Sequence, residues 1–147
     1  MFSTGVEGNL SHFETHGREI DYALIEWFDA SKHVLRLPTQ AGREIGIRKP
    51  EGAALCDGDV LYHDEDLIVA VRIKRCPALR VRLHDPVQAA RLGYELGNLH
   101  LPVSITNDVL EVPFDEPTEQ HLVKLGYLPE RVECIFQGHM PSHHHRG

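Results

Sequence analysis

The sequence predicts an α+β protein with an all-β domain, then a ferredoxin-like domain, then a flexible histidine-containing tail. Three observations support this prediction. Residues 1–75 contain short strand-like runs separated by turn-rich segments. Residues 76–136 follow the order strand, helix, strand, strand, helix, strand, which is the split β-α-β repeat of ferredoxin-like folds. Residues 137–147 combine glycine, proline and histidine without periodicity, which is typical of a flexible tail.

The strands of the first domain follow from its apolar runs. Residues 23–28 and 33–37 are strand-like and flank a polar segment at 29–32, so we expect them to form a hairpin. Residues 67–73 form the most apolar run and are predicted to be a central strand. We interpret the acidic turn at 63–66 as a solvated loop, because alternating acids in loops are common.

The first helix of the second domain has clear start and stop signals. Asp85 is a favourable N-cap, Pro86 suits the first helical position, and Gln88 completes a capping-box pattern. Gly97 is predicted to supply the left-handed exit of the helix. His100 therefore follows directly after the helix.

The rest of the second domain is predicted from turn and cap residues. Residues 102–105 and 109–112 flank a turn-rich segment and indicate a second hairpin. A second helix is predicted to begin at Glu116 and to end at Gly126, and residues 131–136 are predicted to form the last strand.

Composition and charge limit the classes of partner. The chain has 147 residues, of which 41% are hydrophobic and 25% charged, as in globular proteins. Its formal net charge of −7 disfavours binding to nucleic acids and to anionic membranes. Because the sequence has neither a run of about 20 apolar residues nor a secretory signal, we expect a cytoplasmic protein.

The cysteine spacing and the lack of catalytic motifs argue against further classes of function. Cys56, Cys76 and Cys134 are odd in number and have no C-x-x-C spacing, which indicates neither a disulfide framework nor a zinc knuckle. We interpret them as buried or half-buried residues. The sequence has no recognisable nucleophile motif, phosphate loop or H-E-x-x-H motif. We therefore expect no catalytic residues, and a zinc-dependent hydrolase is the weakest hypothesis.

Histidine is the unusual residue of this chain, with eleven in total. His143, His144 and His145 are consecutive near the end, and they are either a native tail or an added purification tag. A single imidazole at His100 supplies one of the four to six donors that a metal site needs, but a two-fold dimer would present two. The tail could then supply the remaining donors. In the alternative interpretation, His100 only caps the helix and the tail has no role.

Residues 92–102, with Gly97-Asn98-Leu99-His100 inside them, resemble the metal-site segment of the UreE urease accessory family, which are nickel chaperones with a G-N-x-H motif. Gly58-Asp59-Val60-Leu61 resembles the G-D-V-L of the same family, and the domain order agrees over the whole chain. The resemblance implies a homodimer that binds Ni(II) through the His100 pair, with the tail histidines completing the site. Zn(II) and Cu(II) are alternative ions for it.

The resemblance also implies partners and has two departures. It implies delivery of nickel to apo-urease in a complex with the accessory GTPase UreG, and partner or peptide contacts for the first domain. Some members carry an additional H-x-H pair, which this chain replaces with Phe114 and Glu116. The tail is short, which favours about one or two ions per dimer over a metal store. A metal-independent protein- or peptide-binding module is the alternative function.

Overall fold

The computed structural model describes residues 1–138, and these residues divide into two compact units. The first unit is Met1–Lys74, and the second begins at Arg75. The first unit contains strands and short 3-10 turns, whereas the second combines four strands with two helices. This arrangement confirms the predicted α+β fold class.

The first unit consists of two sheets. One has four strands in the order β2-β6-β7-β3, and the other has three in the order β1-β5-β4. The strands are β1 (Phe2–Ser3), β2 (Gly8–Asn9), β3 (Glu19–Ile25), β4 (Val34–Pro38), β5 (Glu44–Arg48), β6 (Asp59–His63) and β7 (Leu67–Ile73). Strand β7 lies between two neighbours, and Ile68, Val69, Ala70 and Val71 are fully buried. The prediction of a central strand at 67–73 is therefore confirmed.

The hairpin expected between residues 23–28 and 33–37 is wrong. Strand β3 pairs in parallel with β7, and β4 pairs antiparallel with β5 in the other sheet. The chain leaves β3 at Ile25 and turns through a 3-10 helix at Trp27–Asp29, in which the Ala30 N–H donates to the Trp27 carbonyl at 3.2 Å. This turn carries the chain from one sheet to the other, and β3 is bridged only to the residue after β4, through an isolated bridge from Ala23 to Thr39.

A buried carboxylate on β3 connects this strand to the turn between β4 and β5. The Asp21 side chain is only 1% exposed, and it accepts hydrogen bonds from Arg43 Nη1 at 2.9 Å and from the Ala41 N–H at 3.0 Å. Burial raises the pKa of Asp21, but hydrogen bonds from Thr39, Arg43 and Ala41 outweigh burial and hold that pKa below its ordinary value. Asp21 is therefore a structural anion.

The second unit has the ferredoxin-like arrangement. Its sheet order is β11-β8-β10-β9, with every neighbouring pair antiparallel. The elements are β8 (Cys76–Arg82), α1 (Pro86–Asn98), β9 (Ser104–Thr106), β10 (Val109–Pro113), α2 (Glu116–Lys124) and β11 (Glu130–Cys134). The core joins one sheet face to the helices and contains Leu79, Val81, Leu83, Leu92, Leu96, Leu110, Val112 and Leu122.

The predicted start of α1 is confirmed, with one difference in its capping bonds. The Asp85 carboxylate accepts the Gln88 N–H at 2.7 Å, as an N-cap does. The Gln88 side chain accepts the N–H of His84 at 2.6 Å, one residue earlier than the capping-box pattern predicts. Side chains thus accept the N–H groups of both His84 and Gln88, and these bonds fix where α1 begins.

The second hairpin is also confirmed. Strands β9 and β10 pair antiparallel through Thr106 and Val109, and Asn107 in the turn has a φ of 55°. Asparagine tolerates this left-handed conformation better than most residues. Neither helix within residues 1–138 is long and apolar enough to cross a membrane.

Candidate functional site

The candidate site begins where α1 ends. The N–H of His100 donates to the Gly97 carbonyl at 2.9 Å, and the N–H of Leu101 donates to the Leu96 carbonyl at 3.2 Å. These two bonds form a Schellman motif, in which the residue that follows the helix cap is left-handed. That residue is His100, with a φ of 58°.

The prediction that Gly97 is the left-handed exit is therefore wrong. Helix α1 continues through Gly97 to Asn98, and Leu99 is its cap. Leu96 is fully buried and Leu101 packs against the same core, so the apolar contact of the motif lies three residues further along the chain than the glycine suggests. The burial of these two leucines fixes where the helix ends.

Helix α2 ends in the same motif with glycine in the left-handed position. Gly126 has a φ of 96°, and its N–H donates to the Val123 carbonyl at 3.0 Å. The N–H of Tyr127 donates to the Leu122 carbonyl at 3.0 Å. The left-handed region costs a non-glycine residue about 1–2 kcal/mol, although histidine tolerates it better than most. The chain thus has a strained histidine where its second helix has a glycine, and such strain is typical of functional positions.

His100 is exposed, and it lies at the end of an apolar stripe on α1. Val87 and Tyr94 are seven positions apart and so lie on one face of α1, where they expose 63% and 69% of their surface and form this stripe. The cap residue Leu99 exposes 51%, whereas Leu92 and Leu96 on the inner face of the helix are buried. No other residue of the second unit up to position 138 covers the side chains of the stripe. An exposed apolar helix face of this kind is typical of a protein–protein contact.

His100 has no set of neighbouring metal ligands in the part of the chain that the structure describes. Among residues 1–138, no three histidine, cysteine, aspartate or glutamate side chains come together as a potential metal site. The other predicted ligands, His143, His144 and His145, lie outside the described residues. Of the four predicted ligands, His100 is therefore the one whose position the structure describes.

Two other histidines differ from His100 in their surroundings. The ring of His63 lies between Glu7 Oε1, at 3.2 Å from Nε2, and Arg18 Nη1, at 3.3 Å from Nδ1, so both of its nitrogens have polar neighbours. His121 on α2 is half-buried, and its Nε2 is buried without a hydrogen-bond partner among the described residues. Sequence reasoning did not single out His121, because an isolated histidine in a helix carries no motif.

The acidic turn after β6 has a structural role. One oxygen of the Asp64 carboxylate accepts the N–H groups of Asp66 and Leu67, each at 2.8 Å, and the other accepts the Tyr62 hydroxyl at 2.8 Å. These bonds hold the pKa of Asp64 below its ordinary value. An ionised carboxylate that closes a turn is not a general acid, which agrees with the interpretation of this segment as a loop.

Comparison with known proteins decides the family. The family model described as the UreE urease accessory protein, N-terminal domain, matches residues 4–74, and the model of the C-terminal domain matches residues 76–147. The chain belongs to the UreE urease accessory protein family. The predicted resemblance to this family is thereby confirmed, and so is the two-domain architecture.

Individual UreE relatives match most of the chain. The urease accessory protein UreE of Flavobacterium johnsoniae is 37% identical over 133 residues, which cover 90% of this chain and 81% of the relative. The UreE protein of Acetivibrio thermocellus is 35% identical over 86% of this chain and 82% of the relative. The UreE protein of Halalkalibacterium halodurans is 32% identical and covers 99% of both chains.

Membership in the UreE family has consequences for function. The family is one of accessory chaperones and not of catalysts, which supports a role in urease maturation and contact with the maturation machinery. Urease maturation implies a metal. The geometry of the second unit is the basis on which the ion, its ligands and the oligomeric state are proposed below.

Proposed function

We propose that this chain is a cytoplasmic, nickel-binding metallochaperone that delivers Ni(II) to apo-urease. In this proposal the chain is a homodimer, and the ion is held between the subunits by His100 of both, with His143, His144 and His145 of the tails completing the coordination. Zn(II) and Cu(II) are competing ions for the same donors, since imidazole binds all three. The partners are the accessory GTPase UreG and the apo-urease activation complex.

The observation that carries this proposal is the strained position of His100 beside an exposed apolar stripe. A glycine would relieve the backbone, as at Gly126, so the side chain of His100 has a use that outweighs its conformational cost. Self-association through Val87, Tyr94 and Leu99 would bury their exposed surface. In a two-fold contact each residue occurs twice, so the same contact would bring two His100 side chains to one axis.

The incomplete ligand set at His100 suits a carrier. A closed four-ligand site holds its ion, whereas a site assembled from a subunit contact and from tails can exchange ligands one at a time. Imidazole binds metal only in its neutral form, so protons compete with nickel for the site and nickel affinity should fall as the pH is lowered. In this proposal the nickel ion is released when ligands of the recipient protein replace those of the carrier one at a time.

Calorimetric titration with Ni(II) tests the proposal directly. We expect His100→Ala to abolish the tight-binding phase and truncation after Met140 to weaken it. His84→Ala is the matched control, because His84 is also exposed and lies at the other end of α1. Tight binding that survives His100→Ala would overturn the site, and loss on truncation alone would make the tail an independent chelator.

Light scattering of the metal-free protein tests the dimer. Tyr94→Glu places a charge in the middle of the apolar stripe, so we expect it to convert the dimer to a monomer and to weaken nickel binding. Val123→Glu is the matched control, since Val123 is an exposed residue of α2 with 58% of its surface accessible. A wild-type monomer without metal would contradict a dimer formed by the stripe.

A second function, metal-independent binding of a protein or peptide, is favoured by a groove on the first unit. The groove has a volume of about 400 Å³ and lies over β1, β4 and β5, where Gly46 lies between Phe2 and Arg36 in the strand register. Phe2 and Val34 beside it are 59% and 56% exposed. This groove is the place where the first unit would contact the maturation machinery. This function would be favoured if the chain bound no nickel and still bound the apo-urease activation complex, and if Phe2→Ser abolished that binding.

A further inference from the structure

Two of the three cysteines come together in the second unit. Cys76 begins β8 and Cys134 ends β11, and the two residues are directly opposite in the antiparallel register. Cys76 is half-buried and Cys134 is buried, whereas Cys56 in the first unit is exposed, contrary to expectation. A separation of 58 positions hides this pairing from sequence inspection, because strand register is set by tertiary structure.

The backbone bonds around Pro77 define the geometry of the cysteine pair. The Pro77 carbonyl accepts the Phe114 N–H at 3.0 Å, so Pro77 faces β10 and its neighbour Cys76 faces β11. Cys76 and Cys134 therefore form a hydrogen-bonded pair, for which Cα atoms are about 5.5 Å apart and Cβ atoms are toward the upper end of 4.5–5.5 Å. A disulfide needs Cβ atoms about 3.8 Å apart.

The sulfur atoms of this pair are suited to one shared ion. Thiolates bound to an ion at about 2.3 Å are separated by up to about 4.6 Å when they lie on opposite sides of it. This span matches side chains whose Cβ atoms are too far apart for a relaxed disulfide. Both side chains lie on the sheet face away from the leucines that contact the helices, since β8 residues alternate between the two faces.

The surroundings of Cys134 combine burial with a carboxylate and a guanidinium. Burial, and then the negative charge of Glu111, raise the pKa of Cys134 to about 11, and the Glu111 Oε1 atom lies 3.8 Å from its sulfur. Arg80 pairs with Glu111 at 2.7 Å and offsets the charge of nearby anions.

We propose that Cys76 and Cys134 form a two-thiolate binding site for Cu(I). Binding exchanges two thiol protons for one monovalent ion and leaves a complex with a single negative charge beside Arg80. Cu(I) is the ion of choice because thiolates are soft ligands and a monovalent d¹⁰ ion is satisfied by two donors, whereas Zn(II) needs four. The site is separate from His100 and does not depend on the nickel proposal.

Anaerobic titration of the full chain with Cu(I), against a chromophoric Cu(I) chelator, tests this site. We expect one tightly held Cu(I) per chain, two protons released, and sulfur as the main scatterer in copper X-ray absorption. Cys76→Ser and Cys134→Ser should each lose this equivalent. Cys56→Ser is the matched control and should keep it, as should His100→Ala, which removes the proposed nickel ligand.

Three outcomes would overturn the site. They are retention of sulfur-bound copper in the Cys76→Ser, Cys134→Ser double variant, loss of it in Cys56→Ser, and coordination by nitrogen and oxygen alone in the wild-type protein. Circular dichroism of the serine variants guards against unfolding. A variant that fails to fold is replaced by alanine at the same position, and the same result is expected.

Discussion

Replacing His100 with glycine should stabilise the second unit relative to replacing it with alanine. Both substitutions remove the imidazole and all of its contacts, so the comparison isolates the backbone. With a φ of 58°, position 100 is unfavourable for alanine by about 1–2 kcal/mol. Glycine avoids that cost, but it loses about 0.5–1 kcal/mol of conformational freedom on folding. The midpoints of the two ranges leave a net difference of about 0.75 kcal/mol in favour of His100→Gly.

Urea unfolding followed by two probes measures this difference. Far-ultraviolet circular dichroism of the α-helices reports on the second unit, which contains both α1 and α2. Trp27 is the single tryptophan of the chain and lies in the first unit, so its fluorescence serves as an internal control that should not change. Gly126→Ala is the reciprocal control, and it should destabilise the second unit by about 1 kcal/mol because Gly126 has a φ of 96°.

Equal stability of the two variants, or greater stability of His100→Ala, would refute the strain argument. Neither variant should bind nickel tightly, because neither has the imidazole. Higher stability with lost binding in His100→Gly would mean that the chain keeps its histidine at a cost in stability. This trade-off is the pattern expected of a functional residue.

Three further substitutions test the fold of the two units. Asp85→Ala should lower the stability of the second unit by about 1 kcal/mol, measured by urea unfolding, because it removes the N-cap of α1. Leu96→Ala should cost about 2–5 kcal/mol in the same assay, because Leu96 is fully buried in the core. Asp21→Asn should destabilise the first unit at neutral pH, measured by Trp27 fluorescence. The folded pKa of Asp21 lies below its ordinary value of 3.8, so the difference from wild type should be full above that value and should shrink as the pH falls through the folded pKa.

Local signals in the sequence predicted the second unit better than the first. The start of α1 depends on Asp85, Pro86 and Gln88, which are adjacent in sequence and make their bonds to one another or to His84. The partner of β3 is β7, which lies more than 40 positions away, and nothing local in residues 23–28 distinguishes parallel pairing from a hairpin. Short polar turns between apolar runs usually indicate a hairpin. Here the turn instead connects strands of two different sheets, β3 and β4.

The candidate site was predictable in part. The G-N-x-H segment identified His100, but the rule that glycine ends helices assigned the left-handed position to Gly97. The buried contact of Leu96 and Leu101 decides the position instead, and a sequence pattern does not reveal which leucines share a core. The pairing of Cys76 with Cys134 depends on strand register for the same reason.

The central claim is that two subunits share one nickel ion through His100. Nickel X-ray absorption of the loaded wild-type dimer, and of a mixed dimer with one wild-type and one His100→Ala subunit, tests it most directly by counting imidazole ligands. The shared site predicts that the ion in the mixed dimer has one imidazole fewer than the ion in wild type. An unchanged imidazole count at the ion of the mixed dimer would contradict a site shared across the dimer.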